Sequence, residues 1–155
     1  MCRAYRFAGT TTCAERSRPA RFSLAQWKES KAEHFIVLYP QAGSSAMERF
    51  AREVGSNAER YYKRIAEELG YPRYSDFWTW DRRVKIYIYP DHASYVKSGN
   101  YPEWSAGMAD YTAKRIYSFY GSDRFLEHTL PHEIAHLIFR DFVGFKGEIP
   151  LWLDE

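Results

Sequence analysis

The stretch TLPHEIAHLIF, Thr129–Phe139, sets two histidines four positions apart around a glutamate. Ile134, Leu137, Ile138 and Phe142 recur at spacings of three and four, the pattern of a helix with one apolar stripe. Residues i and i+4 share a helix face about one turn apart, so His132 and His136 can aim two imidazole nitrogens at one point. Such a point suits Zn2+, with each Zn–N bond about 2.0–2.1 Å long and room left for a third protein ligand and a water. Glu133 stands roughly a third of a turn away, where it can reach that water as a general base without binding the metal. With the five histidines and thirteen glutamates of this chain, a random ordering would produce H-E-x-x-H roughly one time in a hundred.

Upstream, helical spacing extends back to Asp123 through Phe125 and Leu126, but Pro131 removes a backbone donor and crowds the preceding turn. The helix either kinks at Pro131 or restarts with Pro131 in its first turn. His128 lies four before His132, yet the break at Pro131 and the rotation of about 40° per four-residue step make it a poor third ligand. Downstream, Gly144 and Gly147 end the helix and Pro150 can open another that carries Leu151 to Glu155. Eighteen residues separate His136 from Glu155, enough for the chain to reverse and bring a carboxylate back, and His2Glu is a catalytic zinc donor set.

Further outward, the chain of 155 residues is the size of one domain with a real core. HFIVLY, His34–Tyr39, is a compact apolar run closed by Pro40 and reads as a strand buried on both faces. From Ser44 to Leu69, apolar residues from Met47 to Ile65 recur at helical spacing, with serines available as N-caps and Gly70 as a stop. Val84, Ile86 and Ile88 alternate with Lys85, Tyr87 and Tyr89 as a strand with one apolar and one amphipathic face. A short helix capped near Asp91 runs through Tyr95 to Lys97, and SGNYPEW, Ser98–Trp104, reads as a loop. Ala106–Tyr111 and Arg115–Tyr120 form a hairpin joined through Thr112–Lys114. Residues 1–32 read as a loosely ordered basic lead-in with a short helical turn around Leu24–Lys31, and 33–155 as the domain.

Composition removes several function classes. The net charge is +2, but residues 1–34 carry seven Arg/Lys against three Glu, so the remainder is net −2. No Lys/Arg stripe interleaved with aromatics runs through the ordered part, which argues against a nucleic-acid partner. No run of 18 apolar residues exists, so no transmembrane segment is expected, and the visible N-terminus lacks a secretory h-region. Cys2 and Cys13 have no metal-ligand spacing with a histidine and would pair only in an oxidising compartment. The 18% aromatic content is explained mostly by packing, with Tyr101, Trp104, Tyr117 and Tyr120 as candidate cleft residues. His34 and His92 open a strand and a helix, where structural roles are expected.

H-E-I-A-H, then eighteen residues, then the glutamate of P-L-W-L-D-E, resembles the gluzincin clan of zinc metallopeptidases, particularly the small bacterial peptidase MA-like domains. The upstream order is similar too: a strand such as HFIVLY, a long helix, a strand such as VKIYIY, and a W-x-x-G segment. The resemblance implies Zn2+ as cofactor, His132, His136 and Glu155 as ligands, Glu133 as general base, and a peptide or protein as substrate. It implies an α+β, zincin-like N-terminal subdomain, with a small mixed or antiparallel sheet packed on the long helix and the zinc helix. It also implies an edge strand that pairs with extended substrate; AGMADY occupies that place, which makes Gly107, Met108 and Ala109 the candidate substrate-binding residues. An extracytoplasmic or bacterial-envelope setting and a chain incomplete at its C-terminus complete the expectation. In such enzymes a His or Tyr beyond the third ligand stabilises the oxyanion; the chain ends at Glu155, so an electrophile within it would come from upstream. The competing readings are a zinc-binding pseudopeptidase without turnover and a structural or interaction domain whose HEIAH helix is simply a packed amphipathic helix.

Overall fold

The structure, a computed structural model, describes residues 26–70 and 82–143. In chain order it forms β1 (Trp27–Lys31), β2 (Phe35–Pro40), α1 (Ser45–Glu68), β3 (Val84–Tyr89), α2 (His92–Gly99), β4 (Gly107–Asp110), β5 (Arg115–Phe119), a wide π-type turn (Phe125–Thr129) and α3 (Leu130–Val143). The fold is α+β, and its sheet is mixed. The strand order is β1-β2-β3-β5-β4, with β2, β3 and β5 parallel and the two outer strands antiparallel to their neighbours.

Local chemistry accounts for most boundaries. Ser44 caps α1 by accepting the Met47 N–H at 3.3 Å, and Gly70 follows the helix end at φ +61, a conformation that costs glycine little. Asp91 caps α2 through the Ser94 N–H at 2.7 Å. Asn100, in the left-handed conformation, ends α2 at Gly99, so the helix runs two residues into the stretch read as a loop.

The two faces of the sheet bury different chemistry. Phe35, Val37, Val84, Ile86, Ile88 and Ile116 are fully buried on one face, against the Met47, Ala51, Val54 and Ala58 stripe of α1 and against Ile134, Leu137 and Ile138 of α3. Truncating a buried isoleucine of this layer to alanine typically costs about 2–5 kcal/mol. The other face carries an aromatic layer. Tyr87 stacks on Tyr117 with centroids 5.3 Å apart, Tyr101 stacks on Tyr95 at 4.8 Å, and Trp27 meets Tyr87 and Tyr89 edge-on.

This layer corrects the reading of Leu24–Lys31 as a helical turn. Trp27–Lys31 is a strand paired with β2 from Trp27↔Pro40 to Lys31↔Ile36. Its local sequence, WKESK, has little apolar pattern; the free β2 edge and the tyrosine pair under Trp27 make it a strand. The sheet therefore begins upstream of residue 33. The candidate aromatic cleft also dissolves. Tyr101 and Tyr117 belong to the packed layer, whereas Trp104 is 85% exposed and Tyr120 packs on Phe50.

Candidate metal centre

Pro131 shapes the entry to α3. Without a proline N–H, and with its ring crowding the carbonyl four residues earlier, a regular turn cannot close. The chain widens instead: the Leu130 N–H donates to the Phe125 carbonyl, five residues back, and α3 restarts with Pro131 in its first turn. Of the two arrangements open at this proline, the restart is the one adopted. It leaves His128 exposed on the wide turn and His132, Glu133 and His136 on a regular helix.

His132 Nε2 and His136 Nε2 lie 3.0 Å apart, with their rings at 87° to one another. Two nitrogens bound tetrahedrally to one Zn2+ would stand roughly 3.4 Å apart, so a separation wider by a few tenths of an ångström would accommodate the ion. An imidazole–imidazole hydrogen bond also satisfies the observed spacing. The donor set therefore fits a zinc site that two further ligands would complete. Among the described residues, no third His, Cys, Asp or Glu brings a ligand atom within 4.8 Å of both rings. Glu155, the expected third ligand, lies outside the described residues, as does the helix read from Pro150 onward.

Glu133 faces inward and is only 7% exposed. Its Oε2 accepts a hydrogen bond from the Tyr111 hydroxyl at 3.0 Å. Burial raises its carboxyl pKa above the ordinary value, while the Tyr111 bond and the neighbouring His132 pull it the other way. Tyr111 also lies beside the His136 ring at 5.6 Å, and the Arg140 guanidinium sits 4.8 Å over its ring. Tyr111 is the site residue that sequence reasoning missed. Strand periodicity offered the signal, because Gly107, Ala109 and Tyr111 alternate onto one side of β4 and its extension.

That side points inward. A Cβ on Gly107 would meet Thr129 Cγ2 at 2.9 Å, the Tyr117 carbonyl at 3.1 Å and Phe125 Cδ2 at 3.3 Å, and Ala109 packs on the core. The glycine thus serves a close internal approach between β4 and the turn leading into α3. β4 is an outer strand of the sheet, and β5 pairs with its inner edge from Gly107↔Ser118 to Asp110↔Arg115.

His34 and His92 have structural partners. The His34 backbone N–H donates to Glu59 Oε1 at 2.7 Å and its Nδ1 lies 2.8 Å from Oε2, so Glu59 ties the start of β2 to α1. Glu33 lies close enough to complete a trio of possible ligand atoms, but the His34–Glu59 pairing already accounts for this cluster. His92 packs on Phe119 at 4.9 Å.

No protein-family model matches this chain, and no curated protein matches it. Among the described residues no helix is long and apolar enough to cross a membrane.

Proposed function

We propose that this domain is a zinc-dependent peptide hydrolase in which His132 and His136 hold the metal and Glu133 is the general base. The observation that carries the reading is the pair of Nε2 atoms 3.0 Å apart on one helix face, beside a buried glutamate held by a tyrosine. When bound, Zn2+ would supply a water acid enough to be deprotonated near neutral pH and would polarise the scissile carbonyl. Glu133 would take the proton from that water and return it to the leaving amine. Its buried setting favours the protonated intermediate state of that transfer. Tyr111 occupies Oε2 and leaves Oε1 as the oxygen that exchanges the proton. The outer edge of β4, along Gly107, Met108 and Ala109, would hold extended substrate through whichever of these backbone groups face away from β5. Glu155 remains the proposed third ligand.

A second reading has its own support: the two imidazoles satisfy one another without a metal, as they would in a purely structural domain. Metal analysis separates the two. The hydrolase reading expects about one zinc per chain, lost in His132→Ala and retained in Glu133→Gln, with peptide cleavage abolished in both. Zinc-free purified protein that takes up no added zinc would leave the structural reading standing. Zinc retention without cleavage by the wild-type chain or by any longer form of it would instead make the domain a pseudopeptidase.

A further inference from the structure

Trp104 is 85% exposed, the most exposed large apolar side chain among the described residues, followed by Leu69 at 58%. Trp27, by contrast, is packed edge-on against Tyr87 and Tyr89. Exposure alone says little, since single apolar side chains on a surface are ordinary. What sets Trp104 apart is how firmly its backbone is held.

Upstream, Tyr101 stacks on the fully buried Tyr95, and its N–H donates to the Val96 carbonyl at 3.1 Å. The Ser105 N–H donates to the Pro102 carbonyl at 3.0 Å and closes a turn around Trp104. Downstream, Ser105 Oγ donates its one proton to the Gly107 carbonyl at 2.9 Å, so the Tyr95 hydroxyl, 2.8 Å away, is the donor to Ser105 Oγ. Ser118 Oγ donates to the Ala106 carbonyl at 2.7 Å. Tyr95, Ser105 and Ser118 are all buried, so this is a satisfied polar chain inside the fold. It fixes the loop on both sides of an indole that itself stands in water. With only two rotatable side-chain bonds on a fixed backbone, that indole loses little entropy when a ligand covers it.

Its place in the chain says which ligand. Trp104 stands three residues ahead of Gly107, where β4 begins, and among the described residues no strand pairs with the outer edge of β4. At the other end of that edge, Tyr111 is bonded to Glu133 and lies beside His136. From Gly107 to Tyr111 an extended chain advances about 13 Å, at about 3.3 Å per residue.

We propose that Trp104 is a specificity-determining residue, which packs on a large apolar side chain of an extended peptide laid along β4, about four to six residues from the bond that is cut. The inference rests on the hydrolase reading, which puts the reacting bond at the Tyr111 end of the strand. It makes the substrate an extended chain, because a di- or tripeptide is too short to reach from Glu133 to Trp104.

Extended Ser/Thr peptides carrying one phenylalanine, moved through every position, test it in two ways. With the zinc-loaded wild-type chain, KM is expected to fall about tenfold when the phenylalanine stands about four to six residues from the cut bond on one side. Trp104→Ala should erase that preference and Trp104→Phe should keep most of it, while Leu69→Ser, at the exposed end of α1, should leave it intact. In the full Glu133→Gln chain, which leaves the peptide uncut, binding of the preferred peptide is expected to shift tryptophan emission to shorter wavelength and shield it from acrylamide. Both changes should be missing when Trp104→Phe is added. Cleavage indifferent to a distant phenylalanine, or an equal preference in Trp104→Ala, overturns the inference and leaves the hydrolase reading standing. Absence of any cleavage by the wild-type chain removes the hydrolase reading, and the emission measurement then decides the Trp104 contact by itself. In that measurement, no binding, or binding without a Trp104-dependent shift, overturns the contact. A Trp104-dependent dimer in sedimentation, undisturbed by peptide, makes a second copy of this chain the occupant and overturns peptide docking.

Discussion

Tyr111, one residue beyond β4, donates its hydroxyl to Oε2 of Glu133 on α3 at 3.0 Å and thereby ties the edge of the sheet to the HEIAH helix. The acceptor is buried and ionisable, so removing the donor strands it. Tyr111→Phe should destabilise the fold by about 1–3 kcal/mol, read as a lower urea midpoint at unchanged m-value. In the Glu133→Gln background the same change should cost less, because the interaction is already weakened. Equal costs in both backgrounds would mean that the two side chains are not coupled.

Metal should act as a stabilising ligand. At a free zinc concentration about a hundredfold above Kd, a site present only in the folded state adds about 2.7 kcal/mol. For a domain of this size that is a rise in Tm of roughly 5–10 °C. His132→Ala and His136→Ala should each abolish the rise. A wild-type melting curve unmoved by zinc would remove the metal centre.

Gly107 is expected to resist any side chain. An alanine there would place its Cβ 2.9 Å from Thr129 Cγ2 and 3.1 Å from the Tyr117 carbonyl oxygen. The second neighbour is backbone within the β4–β5 ladder and yields little, so Gly107→Ala should cost about 1–3 kcal/mol. Thr129→Ser, which deletes the Cγ2 methyl, should recover part of that loss. A fully stable Gly107→Ala protein would contradict the close approach.

Alkaline stability should follow the buried tyrosines. The Tyr62 hydroxyl is pushed up from 10.0 to about 12, first by burial and then by Glu59, Asp141 and Glu33. A folded-state value above the unfolded one means that the fold favours the protonated phenol. Its contribution is therefore complete below about pH 10 and is lost as pH climbs through about 12. Tyr87, Tyr89 and Tyr95 shift in the same direction, each chiefly by burial. Urea midpoints measured between about pH 9 and pH 11 should fall less steeply in Tyr62→Phe than in wild type. Identical slopes would contradict the shift.

Elements with strong local signals were legible in the chain itself. The α1 stripe with its Ser44 cap, the alternation of Val84–Ile88, the β4–β5 hairpin and the HEIAH spacing each lie within one window of sequence, where a single periodicity decides the conformation. β1 was not legible, because WKESK has no periodicity of its own and is a strand only once β2 and the Tyr87–Tyr89 pair are in place. The choice at Pro131 was equally hidden: proline chemistry allows both a kink and a restart, and packing of Phe125 and Leu130 in the core accompanies the restart.

The candidate site divides along the same line. Sequence by itself determined that His132 and His136 share a face with Glu133 beside them, since helix geometry over four residues depends on nothing distant. Tertiary structure alone decided that Tyr111 reaches Glu133 across 22 positions of chain, and that Arg82, Arg83 and Lys85 meet Lys114 and Arg115 in one pocket. Both meetings follow from which strands lie side by side. The parallel placement of β3 next to β5 aligns their starting ends, and β4, antiparallel to β5, runs to that same end and leaves Tyr111 there, where α3 passes. Such adjacency is set by burial of the whole core, which no short window of sequence contains.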